Sequence, residues 1–281
     1  MICMPFSGPY GLGELIAQAI ERLGAKPLKL GTQRSYEEYK EVLEREQPDS
    51  FVGMPVQLLS ILRWCGRGSL RRALVSGDAC PEEVLRQCEA ILGTKLFPHY
   101  GSREMPLGGA ITCPAHEGMH LRENHVIAEI IDEDGRVLPP GEYGQLVITT
   151  IGMEALPLIC YRTGDYTRIL PEPCPCGSRI LRLDRLDRRP QGTEITALDN
   201  VLLPMEGLLD FRAESSGNCL NLYVLCMGGA EEREIRRRVE TIFPDWEIRL
   251  DLRAAQGDDR SLYRGKRCIL MRKGCDTWQI K

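Results

Sequence analysis

Tyr161-Arg162-Thr163-Gly164-Asp165 places a carboxylate directly behind a glycine. An Asp held by a Gly turn can accept hydrogen bonds from two adjacent ribose hydroxyls, or it can cap its own turn. Shortly after it, Cys174-Pro175-Cys176-Gly177 offers two thiolates on a tight knuckle. That is half of a tetrahedral zinc site, or a pair of reduced thiols. Tyr100-Gly101-Ser102-Arg103-Glu104 follows a strand-like run. Its glycine permits close backbone approach, and Glu104 could hold Mg²⁺ beside a phosphate; an ordinary strand-to-loop turn reads the same way. Arg185, in the charged run Arg182–Arg189, has a guanidinium fork that matches phosphate or ribose oxygens, or salt-bridges a linker. Lys266, in Arg264-Gly265-Lys266, could supply a point charge to an acyl-phosphate transition state, or be a solvated lysine.

Elements that would position these residues alternate over the first hundred residues. Helices are expected over Glu14–Leu23, Tyr36–Glu46, Val56–Trp64 and Pro81–Leu92, the first with Leu15, Ile16, Ala19, Ile20 and Leu23 on one face. Pro81 suits a first turn. Strands are expected over Ile2–Phe6, Lys26–Leu30, Ser50–Met54, Arg72–Ser76 and Lys95–His99. This alternation predicts βαβ units and a mostly parallel sheet. After Gly101 the chain turns β-rich: Val126–Asp132 and Gln145–Ile151 read as strands joined through Glu133-Asp134-Gly135 and Pro139-Pro140-Gly141. A boundary is expected near Arg188–Gly192. The tail reads as strand Leu220–Met227, helix Ala230–Phe243 with Ile235, Val239 and Ile242 on one stripe, an alternating strand from Trp246 to Leu252, and a last strand Arg267–Met271. The expected fold class is therefore α/β, with a β-rich subdomain and a small α+β domain at the C-terminal end.

Composition narrows the function by exclusion. A net charge of −4 argues against a general nucleic-acid or anionic-membrane binder, and local clusters such as Arg236-Arg237-Arg238 do not change that. No run approaches the ~18 apolar residues of a membrane span, and the N-terminal residues lack signal-peptide character. A cytoplasmic location is the default expectation. The 12 cysteines, without a secretory signal, read as free thiols plus a metal site. Cys3, Cys65, Cys88, Cys160, Cys219, Cys226 and Cys268 sit among apolar neighbours and most read as small core hydrophobes.

Taken in order, these strings resemble the AMP-forming acyl-CoA synthetase, or adenylate-forming, superfamily, and within it the phenylacetate–CoA ligase branch. Gly141-Glu142-Tyr143-Gly144-Gln145-Leu146-Val147 and Ala155-Leu156-Pro157-Leu158-Ile159-Cys160 before Tyr161 add to the likeness, which is strong from about Phe51 to Arg189. The resemblance implies a partial large adenylation domain over 1–188 (α/β over 1–100, β-rich with a zinc site over 101–188) and a small mobile lid over 189–281. It implies two steps: a carboxylate attacks the α-phosphate of ATP to give acyl-AMP and pyrophosphate, and coenzyme A thiol then displaces AMP. In that reading Tyr100 stacks near adenine, with Gly101, Ser102 and Arg103 at the nucleotide. Glu104 binds Mg²⁺, Asp165 holds the ribose, and Arg185 contacts ribose or phosphate. Asp187 is the hinge, and Lys266 is delivered by the lid. Cys113 and His120 match the branch's Cys-x6-His spacing and complete a Cys3His set with Cys174 and Cys176 for structural Zn²⁺. His116 is a rival ligand.

Three departures matter. No Ser/Thr/Gly-rich phosphate loop ending in Lys occurs in the sequence, as if the front of a ligase were missing. Arg103 stands where the family has Thr or Ser, and Asp184 replaces the usual Gly before Arg185. Two readings follow: a ligase whose N-terminal piece is a separate chain or is lost from the gene model, or a degenerate module that binds a nucleotide or a partner. A plain zinc-stabilised scaffold is a third. The expected small-molecule partners are a carboxylate and coenzyme A. Homodimerisation or pairing with a second chain is also expected, through a docking surface left bare. The acid itself is not legible; Met54, Pro55, Tyr100, Pro106 and the Phe6–Gly11 turn are pocket candidates by proximity alone.

Overall fold

A computed structural model describes residues 1–105, 108–186, 193–263 and 265–271. Among these, the first part is built as β1 (Ile2–Cys3), α1 (Leu12–Arg22), α2 (Tyr36–Glu46), β2 (Ser50–Gly53), α3 (Pro55–Cys65), β3 (Arg72–Val75), α4 (Glu82–Leu92) and β4 (Phe97–Tyr100). Strands β1, β2, β3 and β4 lie side by side in parallel. The sheet is extended by antiparallel β5 (Ala110–Thr112), β6 (Met119–Leu121) and β10 (Arg182–Leu183). The expected parallel α/β architecture is present.

Local chemistry explains the helices. Ser35 and Glu38 form a reciprocal capping box at the start of α2, which satisfies two otherwise orphaned N–H groups. Pro55 opens α3 in the first turn, where a missing N–H costs nothing. Helix α3 is apolar almost all round and buries every residue from Pro55 to Leu62. Such a helix must be covered on all sides. It packs on α2, α4, β2 and, from the far end of the chain, β11 (Leu208–Ser216).

Two expectations in this part change. Lys26–Leu30 is not a strand: it makes a single parallel bridge from Lys29 to Ile2, because Pro27 has no N–H to give and β1 is only two residues long. In α1 the inward stripe is buried Ala17 with half-buried Leu12, Ile16 and Ile20; Leu23 lies past the helix and is 84% exposed.

The β-rich segment is a separate antiparallel layer of β7 (Val126–Ile131), β8 (Gly144–Thr150) and β9 (Tyr161–Thr167). The tail is α5 (Thr193–Leu202), β11, β12 (Cys219–Cys226), α6 (Glu232–Glu240), β13 (Glu247–Ala254) and β14 (Leu270–Met271). The sheet order is β13-β12-β11-β14. The sequence pattern missed α5 and β11. It overextended the last strand: residue 267 lies in the preceding loop, for reasons given below. The proposed boundary and hinge, Asp187 included, fall outside the described residues.

One apolar cluster runs through both ends of the chain. It joins Leu58, Leu59, Ile61 and Leu62 of α3 to Leu198, Leu202, Phe211, Leu222, Ile235 and Val239 of the tail. Polar contacts reinforce it: Ser60 Oγ donates to Leu209 O, and Arg63 donates to Leu203 O and Leu208 O. Cys3, Cys88 and Cys226 are buried, as expected of core thiols, whereas Cys160 and Cys268 are exposed. No described cysteine is in a disulfide. No helix among the described residues is long and apolar enough to cross a membrane.

Leu59 is fully buried in this cluster. Leu59→Ala is expected to cost about 2–5 kcal/mol, read as a shift in the midpoint of urea unfolding.

Candidate nucleotide site and cysteine–histidine cluster

In an open parallel sheet, ligands bind beyond the carboxyl ends of the strands. Here the segments leaving β3 and β4 wall a cavity of about 460 Å³. Val75 and Gly77 to Cys80 come from the first, and Pro98 to Gly101 from the second. Gly77 has φ +86°, a left-handed turn that suits a glycine. Asp165, Arg185 and Lys266 reach the same cavity from distant segments.

Asp165 is aimed by a bulge. Along β9 and β8, Tyr166 pairs with Gln145 but Arg162 pairs with Val147, so three residues of β9 oppose one of β8. Gly164 takes φ +79° within it. Thr163 Oγ1 bonds to Leu146 O (2.8 Å) and accepts from Asp165 N (3.1 Å). The motif expected as a turn is therefore a strand bulge, a device that re-aims a side chain. Asp165 Oδ2 accepts from Tyr100 Oη at 2.8 Å, which ties the three-stranded layer to the end of β4.

Of the sequence candidates, Tyr100, Gly101, Asp165, Arg185 and Lys266 meet at the cavity. Ser102, Arg103 and Glu104 occupy the turn after β4 and do not line it. Ser102 Oγ is buried without a hydrogen-bond partner among the described residues, and Arg103 is exposed. Arg185 is held loosely, its Nη1 3.5 Å from Glu82 Oε2. Asp184 pairs with Arg168 at 2.8 Å and accepts from Arg185 N. Met54, Pro55 and the Phe6–Gly11 turn do not line this cavity, and Pro106 lies outside the described residues.

Sequence reasoning missed Asp78, His99 and Arg267, which also line it. His99 Nδ1 is 2.7 Å from Ser76 Oγ, and burial lowers its proton affinity, so the ring is neutral at pH 7. The missed signal was the Ser76-Gly77-Asp78 turn at the end of a parallel strand.

The second constellation is Cys113, His120, Cys174 and Cys176, whose ligand atoms all lie within 4.8 Å of one another. Cys113 Sγ is 3.6 Å from Cys174 Sγ, and Cys176 Sγ is 3.5 Å from His120 Nε2. A tetrahedron with Zn–S bonds of ~2.3 Å has edges of about 3.8 Å, so the donor set fits that ion in type, number and spacing. His116 is excluded from the cluster: at φ +56° its ring packs against Phe97, centroids 4.8 Å apart. Burial opposes ionisation of Cys174, but hydrogen bonds from the Cys176 backbone and thiol, Cys113 and His120 win and bring it down to about 6. Burial pushes Cys113 up.

Residues 18–154 match the family model for AMP-binding enzymes. The chain is 35% identical over 119 residues to the phenylacetate–coenzyme A ligase of Thermus thermophilus, covering 41% of this chain and 26% of that protein. It is 31% identical over 180 residues to the Escherichia coli phenylacetate–coenzyme A ligase, covering 60% and 40%. Over the matched residues the chain is similar to AMP-binding enzymes and to phenylacetate–coenzyme A ligases. It aligns with between about a quarter and two fifths of those relatives' length. The fold matches 2-hydroxyisobutyryl-CoA ligase, crystallised in the postadenylation state with R3-HIB-AMP. The TM-score is 0.74 at 21% identity, over 96% of this chain and 65% of that one.

Gly118, two residues before His120, has φ +78°, and a Cβ there would lie 2.8 Å from Leu183 O and 2.5 Å from Leu170 Cδ1. Gly118→Ala in this ligase-like chain is expected to lose about 1–3 kcal/mol of stability, measured by chemical denaturation.

Proposed function

We propose that this chain carries the nucleotide-holding part of an AMP-forming acyl-CoA ligase. One observation carries the reading: Tyr100, Asp165, Arg185 and Lys266, spread over most of the sequence, converge on a single cavity at the carboxyl edge of the parallel sheet. Asp165 accepts from the ribose hydroxyls, and Tyr100, already bonded to it, closes the site beside adenine. Arg185 and Lys266 face the phosphate as cations.

The chemistry is adenylyl transfer to a carboxylate, followed by acyl transfer to a thiol. A carboxylate oxygen attacks the α-phosphorus of ATP, and the bond to pyrophosphate breaks. The coenzyme A sulfur then attacks the acyl carbon of acyl-AMP; the thiol loses its proton and AMP departs. Lys266 stabilises charge that grows on the phosphoryl oxygens. Glu104, a single carboxylate, suits Mg²⁺ bound jointly with substrate phosphates. Asp187 is assigned the hinge of a lid over 189–281, docked on a larger domain over 1–188. The first step also needs a cradle of backbone N–H groups around the β- and γ-phosphates, and no Ser/Thr/Gly-rich loop ending in lysine occurs in these 281 residues. Turnover is therefore assigned to these residues in company with such a loop; AMP and adenosine binding are assigned to these residues themselves.

Calorimetric titration tests the reading. AMP is expected to bind, and Asp165→Ala to weaken it about ten- to a hundred-fold, as befits loss of charge-assisted hydrogen bonds. No binding by the wild-type chain, or equal binding by the variant, would sink it.

Cys113, His120, Cys174 and Cys176 are assigned one structural Zn²⁺, which when bound crosslinks two loops. A closed set of four protein ligands leaves no position for substrate. Protein purified under reducing conditions is expected to hold about one zinc per chain by mass spectrometry. Cys176→Ser is expected to hold far less. A wild-type chain without stoichiometric zinc would refute this assignment and leave the nucleotide reading standing.

A further inference from the structure

The Lys266 proposed to face the phosphate lies in an exposed loop, a poor platform for a catalytic charge. Its neighbour supplies what the loop lacks. Arg267 is 6% exposed and points the opposite way, into the tail. Its Nε lies 2.9 Å from Asp199 Oδ1 of α5, and its Nη1 2.9 Å from Asp210 Oδ1 of β11. Its Nη2 donates to Phe211 O at 3.2 Å. The rings of Phe211 and Tyr263 lie 4.4 and 4.6 Å from the guanidinium carbon. Both carboxylates are fully buried, and Asp210 also accepts from Leu262 N and Phe211 N, each at 2.8 Å. Tyr263 Oη donates to Cys268 O, stapling the far side of the loop. The backbone N–H of Arg267 then donates to Asp78 Oδ2 at 2.9 Å, on the opposite wall of the cavity.

We infer that Arg267 is a positioning residue: its buried side chain roots the 265–268 loop in the tail sheet and thereby fixes Lys266 in the nucleotide cavity. This rests on the nucleotide reading above. An apolar side chain could fill the same space, and a buried ion cluster adds little net stability over one. What the guanidinium adds is direction. Five donors in a rigid plane, met by two carboxylates and a carbonyl and faced by two rings, permit one orientation of the backbone that carries them. Lys266 and Cys268, on either side of the buried residue, are exposed and line the cavity. Asp78 sets how far the loop enters. A lysine at 267 would keep the charge but lose the fork.

The test titrates adenosine and AMP into the full chain and into Lys266→Ala and Arg267→Lys. The wild type is expected to prefer AMP over adenosine by about tenfold, the increment of one charge-assisted phosphate contact. Lys266→Ala is expected to abolish the preference. Arg267→Lys is expected to remove most of it while adenosine affinity stays within about two-fold of wild type. An unchanged AMP-to-adenosine ratio in Arg267→Lys overturns the inference. So does an equal loss for both ligands, which marks a merely structural role, and so does a wild-type ratio near one. Binding of neither ligand by the wild type defeats the nucleotide reading instead. In that case, or if Arg267→Lys fails to fold, backbone amide order parameters of Gly265, Lys266 and Cys268 in the wild type decide about the root itself. Values near ~0.85, matching β11, uphold it, and values below about 0.6 overturn it.

Discussion

Helix α3 has no solvent face, and that constraint organises the molecule. A helix with eight consecutive buried residues cannot end its packing at one sheet. It is covered by α2 and α4 on its own side of the chain and by β11 from the tail. Two of the polar side chains it brings inside reach the tail backbone: Ser60 and Arg63 bind the carbonyls of Leu209, Leu208 and Leu203. Burial pulls the Arg63 proton affinity down somewhat, and the carbonyls it binds offset its lost hydration. Strand β11, so held, carries Asp210 and Phe211, which grip Arg267. Packing of one apolar helix is thereby linked, contact by contact, to the placing of Lys266 at the cavity beyond β3 and β4.

The cavity shows why the site is assembled from remote pieces. Parallel strands β3 and β4 end together, and their following loops supply backbone and small side chains at one edge. The one carboxylate they bring to the cavity, Asp78, accepts from Ala79 N and Arg267 N. A second carboxylate comes from β9, where the bulge lets Asp165 leave the strand's plane and meet Tyr100. A regular β9 would keep strict alternation and fix the side chain to one face of the layer. The strand therefore gives up ladder pairing for direction.

Much of this was legible in the sequence, for identifiable reasons. Ser35, Glu38 and the apolar repeat of α2 are local signals, and Tyr36–Glu46 came out residue for residue. Tyr100, Asp165 and Lys266 were legible because glycines mark them. The last strand was misread because Cys268–Met271 is a short apolar run that Arg267 adjoins, whereas Arg267 is held out of the sheet by carboxylates from α5 and β11. Nothing within five residues of Arg267 announces partners that distant. Strand β11 was missed for a related reason: Asp210, Arg212 and Glu214 make it look too polar for an interior strand, yet Asp210 and Glu214 are buried. Cys268 was misjudged as core because apolar neighbours do not ensure burial; the residue beside it took the inward position.

The cysteine–histidine cluster has a second, metal-independent tie beside it, and the pair explains how the loops around it keep their shape. Arg182 on β10 is 3% exposed and donates to the carbonyls of Glu117 and Glu172. Those carbonyls belong to the segments that carry His120 and Cys174. A fixed guanidinium fork brings the two segments together whatever the oxidation or metal state of the thiols. The four side-chain donor atoms are thereby held close, which would reduce the ordering entropy that binding an ion must overcome. Cys176 is exposed, Cys113 and His120 are half-buried, and Cys174 is buried. The brace thus has a rigid half, set by Arg182 and the β6–β10 pairing, and a half completed by the ligands themselves.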